Sequence, residues 1–154
     1  AVPVSAALAA ARMGMDITIA APEGCDLDPE DVARIQSLAR EAGGGRMTVV
    51  HDQSAAIAGA DAVYAKSWGP VSLYGQPAAQ RAWFDRSRGW RLTAEHMRTT
   101  RGGKGIAMHC LPVRRNVEVD DAVLDGPQSV VVDEAENRLH VQRALLLSMI
   151  GSVR

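Results

Sequence analysis

Several residues that could carry chemistry come directly after predicted β-strands of this 154-residue chain. The stretch His109-Cys110-Leu111-Pro112 follows a short apolar segment, and Arg114 lies just beyond it. An imidazole, a thiol and a guanidinium can move protons, attack carbonyl groups or stabilise developing negative charge. A zinc site at His109 and Cys110 is not favoured, because adjacent residues of an extended chain point in opposite directions. The sequence also has no second CxxC or HxxxH pattern.

Further groups of this kind follow the neighbouring predicted strands. Lys66 ends the segment DAVYAK and Trp68 comes soon after it, while Glu134 and Arg138 follow the segment SVVV. In an open parallel sheet the carboxyl ends of the strands form one edge, and ligands bind there. The sequence therefore predicts a polar and charged site at that edge of the sheet.

Each candidate also has a purely structural interpretation, and the residues alone leave both open. Lys66 could be a solvated strand end, Cys110 a small buried hydrophobic residue, and Arg114 part of a solvated loop. Glu134 and Arg138 could form a weak i,i+4 ion pair. Packing or capping roles are expected for the other conspicuous residues, which are Cys25, His51, Trp68, Trp83, Trp90 and His140.

Local signals predict the helices and strands that must position these groups. Pro3 suits the first turn of a helix that Gly14 ends, and Asp28 with Pro29 begins a second helix. Asp52 caps a short third helix. Strands are predicted at 15–20, 46–50, 61–66, 105–109 and 129–132, and further helices at 78–87, 93–99 and from about 133 onward.

Alternating strands and helices predict an α/β fold, an open three-layer Rossmann-like parallel sheet with helices on both faces. The length and the lack of a linker predict a single domain over residues 1–154. A net charge of -1 disfavours nucleic acid as a partner, and no apolar run approaches a membrane span. Two cysteines indicate a reducing compartment, hence the cytoplasm. The apolar run Leu145-Leu146-Leu147 is expected to pack against another surface.

Three segments resemble the aspartate/ornithine carbamoyltransferase family. They are HCLP at 109–112, DEAENR at 133–138 and VYAKSWG at 63–69. The resemblance extends over essentially the whole chain and corresponds to the second, amino-acid-binding domain of these enzymes. It implies transfer of a carbamoyl group from carbamoyl phosphate to an amine, with no metal and no organic cofactor.

The residues before the SWG loop imply an N-acylated acceptor. Ornithine enzymes carry an Asp shortly before this loop to hold the free α-amino group, whereas Lys66 precedes the loop here. A cation suits a carboxylate or an acyl carbonyl. The segments RRNV and LHVQ resemble the N-acetylornithine branch, which implies N-acetyl-L-ornithine as the acceptor in arginine biosynthesis. N-succinylornithine, ornithine and a non-catalytic amino-acid-binding fragment remain alternatives.

Glu118 departs from the pattern of that branch. The N-acetylornithine enzyme has a lysine, carboxylated by CO2, at the aligned position. Glu118 would present the same charge on a shorter arm, as a permanent anion. It could equally be a solvated acid in a loop.

The resemblance implies a role for each residue of the site. Arg138 would stabilise the negative charge on the carbamoyl oxygen, and the Leu111 carbonyl would accept a hydrogen bond from the carbamoyl NH2. Cys110 would line the site without acting as a covalent nucleophile. The predicted substrate-binding residues are Lys66, Trp68, His109, Cys110, Leu111, Arg114, Glu118 and Arg138, with Cys110, Leu111 and Arg138 nearest to the chemistry.

The same resemblance implies that part of the site lies elsewhere. The carbamoyl-phosphate site of the family lies mainly in the first domain, on a Ser-x-Arg-Thr-type helix start, and this sequence contains no such segment. The start at Ala1, without Met, suggests a cut inside a domain. We therefore expect an N-terminally truncated half-site that is inactive alone, and a homotrimer in the full-length protein.

Overall fold

The computed structural model describes residues 2–151, and its contacts divide the chain into two compact units. The first unit comprises Ala1–Ala56 and Trp68–Trp90, and the second comprises Ile57–Ser67 and Arg91–Arg154. Each unit contains its own pair of parallel strands and its own apolar core.

The first unit is built on two parallel strands. Strands β1 (Ile17–Ala20) and β2 (Met47–Val50) pair with Ile17 opposite Met47. Asp28 begins the second helix as predicted, since its carboxylate accepts a hydrogen bond of 2.8 Å from the Glu30 amide. Ile35 is fully buried in the core of this unit. The helices are α1 (Val2–Arg12), α2 (Pro29–Glu41), α3 (Gln53–Ile57, which ends at the first residue of the second unit) and α4 (Pro77–Arg86).

The second unit holds most of the predicted site. Strands β3 (Ala62–Tyr64) and β4 (Ile106–Met108) are parallel, with Val63 opposite Ala107. Its helices are α5 (Ala94–Thr99), α6 (Asp121–Leu124) and α7 (Val131–Gly151). The core packs Leu92, Met97, Val119 and Val123 against β4. The loop from β4 to α6, residues 109–120, therefore leaves this core after β4 and returns to it at Val119.

Parallel strands alternating with helices confirm the predicted α/β class, but one predicted strand is wrong. The expected strand at 129–132 is reduced to one bridge between Ser129 and Ala107, and α7 already begins at Val131. Asp133 and Glu134 lie in the first turn of α7, where negative charge is favourable. Val131 and Val132, which were predicted to lie in a strand, therefore belong to the helix. Strand β1 is also shorter than the predicted 15–20, and it is only half-buried, with Thr18 exposed.

Helix α7 carries an extended apolar surface. Leu145, Leu146 and Leu147 are 60%, 57% and 69% exposed. None of the helices within residues 2–151 has the length and apolarity needed to cross a membrane.

Candidate functional site

The loop that leaves β4 starts with a buried histidine. His109 is 1% exposed, and both of its ring nitrogens have partners within the protein. Nε2 lies 3.0 Å from Oε2 of Glu118, and Nδ1 accepts a hydrogen bond of 2.9 Å from the Leu111 amide. The predicted direct contact between His109 and substrate therefore does not fit this position, because neither nitrogen faces an open site.

Glu118 is buried beside this histidine. It is 4% exposed, so the alternative that it is a solvated loop acid is wrong. Its Oε1 accepts a hydrogen bond of 2.7 Å from Nε of Arg114, and its Oε2 faces His109. The Arg114 amide lies 3.4 Å from Oε2. The chain folds this way locally because residues 114–118 form a turn, in which the Glu118 amide bonds to the Arg114 carbonyl.

The surroundings of His109 favour its neutral form. Burial lowers the pKa of His109, and the nearby positive charge of Lys66 lowers it further, whereas the carboxylates of Glu118 and Glu134 oppose these effects. A neutral imidazole has one donor and one acceptor nitrogen. Since Nδ1 accepts from Leu111, the proton is assigned to Nε2, which donates to Glu118.

The Cys110–Leu111 peptide lies between His109 and Arg138. Its N–H donates to His109, and its carbonyl accepts a long hydrogen bond of 3.4 Å from Nη1 of Arg138. Leu111 has φ of 51°, in the left-handed region. The following Leu111–Pro112 bond is cis. The HCLP segment thus forms a tight bend that brings Arg138 from α7 to the carboxyl end of β4.

The structure adds a tyrosine that the sequence reasoning missed. The Tyr64 hydroxyl donates a hydrogen bond of 2.5 Å to Oε1 of Glu134. Partial burial, this carboxylate and the Cys110 thiol all raise the pKa of Tyr64. Glu134 is therefore engaged by Tyr64, and within residues 2–151 it does not form the i,i+4 ion pair with Arg138 that the sequence left open. The available signal was the position of Tyr64 at the end of β3, two residues before Lys66.

Two further predicted residues follow β3. Lys66 is half-buried, and its Nζ donates a hydrogen bond of 2.7 Å to Oγ of Ser67. Trp68 belongs to the first unit, where its ring centroid lies 5.6 Å from that of Trp83. Its Nε1 donates a hydrogen bond of 2.6 Å to the Trp90 carbonyl. The packing role expected of Trp68 and Trp83 is confirmed, and a substrate contact of Trp68 stays a prediction.

His51 and His96 each have hydrogen-bond partners within their own unit. In the first unit, Nδ1 of His51 lies 2.9 Å from the Ala21 carbonyl, and Nε2 lies 3.5 Å from an oxygen of Asp26. The ring of His96 caps the start of α5. Within residues 2–151, no three His, Cys, Asp or Glu side chains are arranged to hold a metal ion.

A known protein family matches almost the entire chain. The family described as "Aspartate/ornithine carbamoyltransferase, Asp/Orn binding domain" matches residues 1–149. The chain belongs to the aspartate/ornithine carbamoyltransferase family. The site loop at 109–118 and Arg138 all lie within the matched residues, so the resemblance of the HCLP and DEAENR segments is confirmed.

Similar carbamoyltransferases come from several bacteria. The chain is 40% identical over 154 residues to the N-acetylornithine carbamoyltransferase of Xanthomonas campestris pv. campestris, covering 100% of this chain and 45% of that relative. It is 43% identical over 136 residues to the ornithine carbamoyltransferase of Symbiobacterium thermophilum, covering 88% of this chain and 42% of that relative. The chain thus spans less than half the length of these relatives.

Solved carbamoyltransferase structures share the fold. A variant of N-acetyl-L-ornithine transcarbamylase complexed with carbamyl phosphate and N-succinyl-L-norvaline superposes with a TM-score of 0.87 at 41% identity. That match covers 96% of this chain and 44% of the other. Acetylornithine transcarbamylase complexed with acetylcitrulline gives a TM-score of 0.86 at 40% identity, over 95% of this chain and 43% of the other.

Proposed function

We propose that this chain supplies the amino-acid-binding half of a carbamoyltransferase site. The reaction is transfer of the carbamoyl group of carbamoyl phosphate to the δ-amine of N-acetyl-L-ornithine, a step of arginine biosynthesis. The observation that supports it best is the meeting of the 109–112 bend with Arg138, which places a guanidinium beside the Cys110 backbone carbonyl. This combination offers both a cation and hydrogen-bond acceptors to one planar carbamoyl group.

The proposed chemistry is an addition followed by an elimination. The neutral δ-amine attacks the carbamoyl carbon and forms a C–N bond. The bond from that carbon to the phosphate oxygen then breaks, phosphate leaves with the electron pair, and the nitrogen loses one proton. Arg138 stabilises the negative charge that develops on the carbonyl oxygen, because a guanidinium remains charged throughout. The Leu111 carbonyl accepts from the carbamoyl NH2 and orients it, and Cys110 lines the site near the amine.

The acceptor is held by cationic side chains in this proposal. Arg114 is about half-exposed and its Nε is anchored on Glu118, so its guanidinium has a defined orientation toward a substrate carboxylate. Lys66 is half-buried at the end of β3 and suits a carboxylate or an acyl carbonyl. Glu118 acts on the substrate through Arg114, since both of its oxygens face protein groups.

Lys66 is also what favours an N-acylated acceptor over ornithine. A free α-amino group would carry a positive charge and be repelled by Lys66, whereas an amide carbonyl would be attracted to it. The identity to ornithine enzymes, 43% in one case, is as high as that to N-acetylornithine enzymes. We therefore base the choice of acceptor on Lys66 and not on overall identity.

The carbamoyl-phosphate half of the site is proposed to lie outside the family domain that this chain represents. The chain covers 45% of its N-acetylornithine relative, which leaves length for such a domain. The exposed apolar surface around Leu145–Leu147 would pack against that part. A homotrimer in the cytoplasm is the assembly that we propose for the complete enzyme.

An acceptor assay tests the proposed function. The polypeptide encoded by the complete gene would be given carbamoyl phosphate with N-acetylornithine, N-succinylornithine or ornithine, and phosphate release measured. We expect the highest kcat/KM with N-acetylornithine and no transfer by the 154-residue chain alone. A preference for ornithine would contradict the role of Lys66. If no amine were turned over, or if a stop codon preceded the codon for Ala1, a non-catalytic binding module would be favoured instead.

Variants at Glu118 test its proposed action on the substrate. In the complete enzyme, Glu118→Ala is expected to lower kcat/KM, because Arg114 loses its anchor. Glu118→Lys is expected to lower it as well unless CO2 carboxylates the lysine, which would restore the anion. Glu136→Ala is the matched control, since that carboxylate is exposed on α7. If Glu118→Ala were indistinguishable from wild type, Glu118 would have no role in substrate binding.

A further inference from the structure

We infer that His109 is a positioning residue, whose unprotonated Nδ1 holds the Cys110–Leu111 peptide and, through that peptide, the guanidinium of Arg138. All contacts in this inference lie within the second unit. Its bearing on catalysis rests on the proposed function, because Arg138 is the group assigned to the carbamoyl oxygen.

The first step is that one peptide group connects the two side chains. The Leu111 N–H donates to Nδ1 of His109 at 2.9 Å, and the Cys110 carbonyl of the same peptide accepts from Nη1 of Arg138 at 3.4 Å. A trans peptide is planar, and its N–H and C=O point in opposite directions. Any rotation of this plane therefore breaks both contacts together, and the histidine controls which way the carbonyl faces.

The second step is that this orientation requires support. Leu111 has φ of 51°, a region that residues with a side chain rarely adopt because Cβ approaches the backbone. Such a conformation persists only where the surrounding contacts hold it. The hydrogen bond to His109 is the contact made by the Leu111 amide itself.

The third step is that Glu118 selects the tautomer of His109 in which Nδ1 can accept the hydrogen bond from Leu111. Nδ1 accepts a hydrogen bond only while it carries no proton, so the proton must be on Nε2. Nε2 lies 3.0 Å from Oε2 of Glu118, and an ionised carboxylate can only accept. The opposite tautomer would place two N–H groups against each other at Leu111 and leave Nε2 facing a carboxylate without a proton.

The same carboxylate also holds the second cation of the proposed site. Oε1 of Glu118 accepts from Nε of Arg114 at 2.7 Å. Glu118 therefore orients Arg114 directly, and it orients Arg138 through His109 and one peptide group. A buried anion at position 118 would thus fix the orientation of the guanidinium groups of Arg114 and Arg138 without contacting the substrate.

Nuclear magnetic resonance of the 154-residue chain tests this inference without any assay of activity. A long-range proton–nitrogen spectrum reports which nitrogen of His109 carries the proton, and a nitrogen–nitrogen coupling across the hydrogen bond would identify Nδ1 as the acceptor of the Leu111 amide. We expect a proton on Nε2 and a measurable coupling. A proton on Nδ1, or a Leu111 amide that exchanges as fast as an exposed one, would overturn the inference.

Two substitutions separate the contributions of the two ring nitrogens of His109. His109→Asn places an amide oxygen near the position of Nδ1, and His109→Gln reaches toward Glu118 without an acceptor for Leu111. We expect hydrogen exchange of the Leu111 amide to quicken about tenfold in His109→Gln, the equivalent of one lost hydrogen bond. In His109→Asn it should stay within about threefold of wild type, and the Arg138 side-chain resonances should follow the same order.

Equal effects of the two substitutions would contradict the positioning role, since a residue needed only for packing does not distinguish them. If either variant fails to fold, as judged by circular dichroism, the wild-type spectra still decide the matter. A chain that has the expected tautomer and coupling but whose complete enzyme transfers no carbamoyl group would refute the proposed function and leave this inference intact.

Discussion

His109 and Glu118 form a hydrogen bond of 3.0 Å between side chains that are 0% and 3% exposed. A carboxylate removed from water to this degree needs donors for its oxygens, and His109 and Arg114 supply them. His109 lies directly after β4, where the carboxyl end of a parallel strand faces a ligand site in α/β folds, and Glu118 lies later in the same loop. The stability of this small network and the geometry of the proposed site are therefore linked.

Removing the Glu118 carboxylate should destabilise the fold. Glu118→Ala leaves the buried Nε2–H of His109 without an acceptor and releases Arg114, so we expect a loss of about 2–3 kcal/mol in the free energy of unfolding. Urea unfolding followed by circular dichroism would measure it. Glu136→Ala removes an exposed carboxylate of α7 and should change the same free energy by less than about 0.5 kcal/mol. Similar losses in the two variants would show that the buried network contributes nothing.

Acid should weaken the fold through His109. Burial lowers its pKa below the ordinary 6.5, so the unfolded chain binds a proton at a higher pH than the folded chain. Stability is then highest above about pH 6.5 and falls as the pH decreases from there toward the folded pKa. The charged groups that act on the ring are Glu118, Glu134 and Lys66, of which only Lys66 lowers the pKa further.

Urea unfolding at a series of pH values between 7.5 and 5, a range of about one unit on either side of the ordinary histidine pKa, would measure this dependence. His109→Asn removes the titrating group and should flatten the part of the slope that His109 causes. An unchanged slope in that variant would assign the dependence to other residues.

Tyr64 should resist ionisation in alkaline solution. Partial burial disfavours its ionised form, and the hydrogen bond that its hydroxyl donates to Glu134 is lost with the proton, so the pKa of Tyr64 is raised. The folded chain then holds the proton at a pH where the unfolded chain has lost it, and stability falls as the pH rises above about 10. Ultraviolet absorbance of tyrosinate would follow the titration, and its difference from Tyr64→Phe isolates the Tyr64 transition. A Tyr64 transition at the ordinary pKa of tyrosine would contradict the hydrogen bond to Glu134.

The apolar surface of α7 should contribute little to the stability of this chain. Leu147 is 69% exposed, so Leu147→Ala is expected to change the free energy of unfolding by less than about 0.5 kcal/mol. Val123 is 3% exposed in the core of the second unit, and Val123→Ala should cost about 2 kcal/mol. In the complete enzyme the Leu147→Ala effect should rise if this surface packs against the carbamoyl-phosphate half. A large effect already in the 154-residue chain would contradict the exposure of Leu147.

The amino-acid sequence by itself determined the local features of this protein. Asp28 and Pro29 predicted the start of α2, and Asp52 the start of α3, because a helix cap is decided by residues two or three positions apart. The alternation of helices and strands also predicted parallel pairing, because it is visible in the order of neighbouring elements along the chain. The HCLP and DEAENR segments identified the family, since they are runs of adjacent residues.

Only the tertiary structure decided how the site residues are used. Tyr64 and Glu134 are 70 positions apart and meet because β3 and the start of α7 meet, which no local pattern encodes. The valines at 130–132 have a high propensity for strands. In the structure, however, Ser129 forms a single bridge and α7 begins at Val131. The sequence left open whether Glu118 is a substrate-binding anion or a solvated acid. Its burial against His109 and Arg114 excludes the second interpretation. Burial depends on contacts between distant segments, and those contacts convert a surface-type residue into the centre of a network.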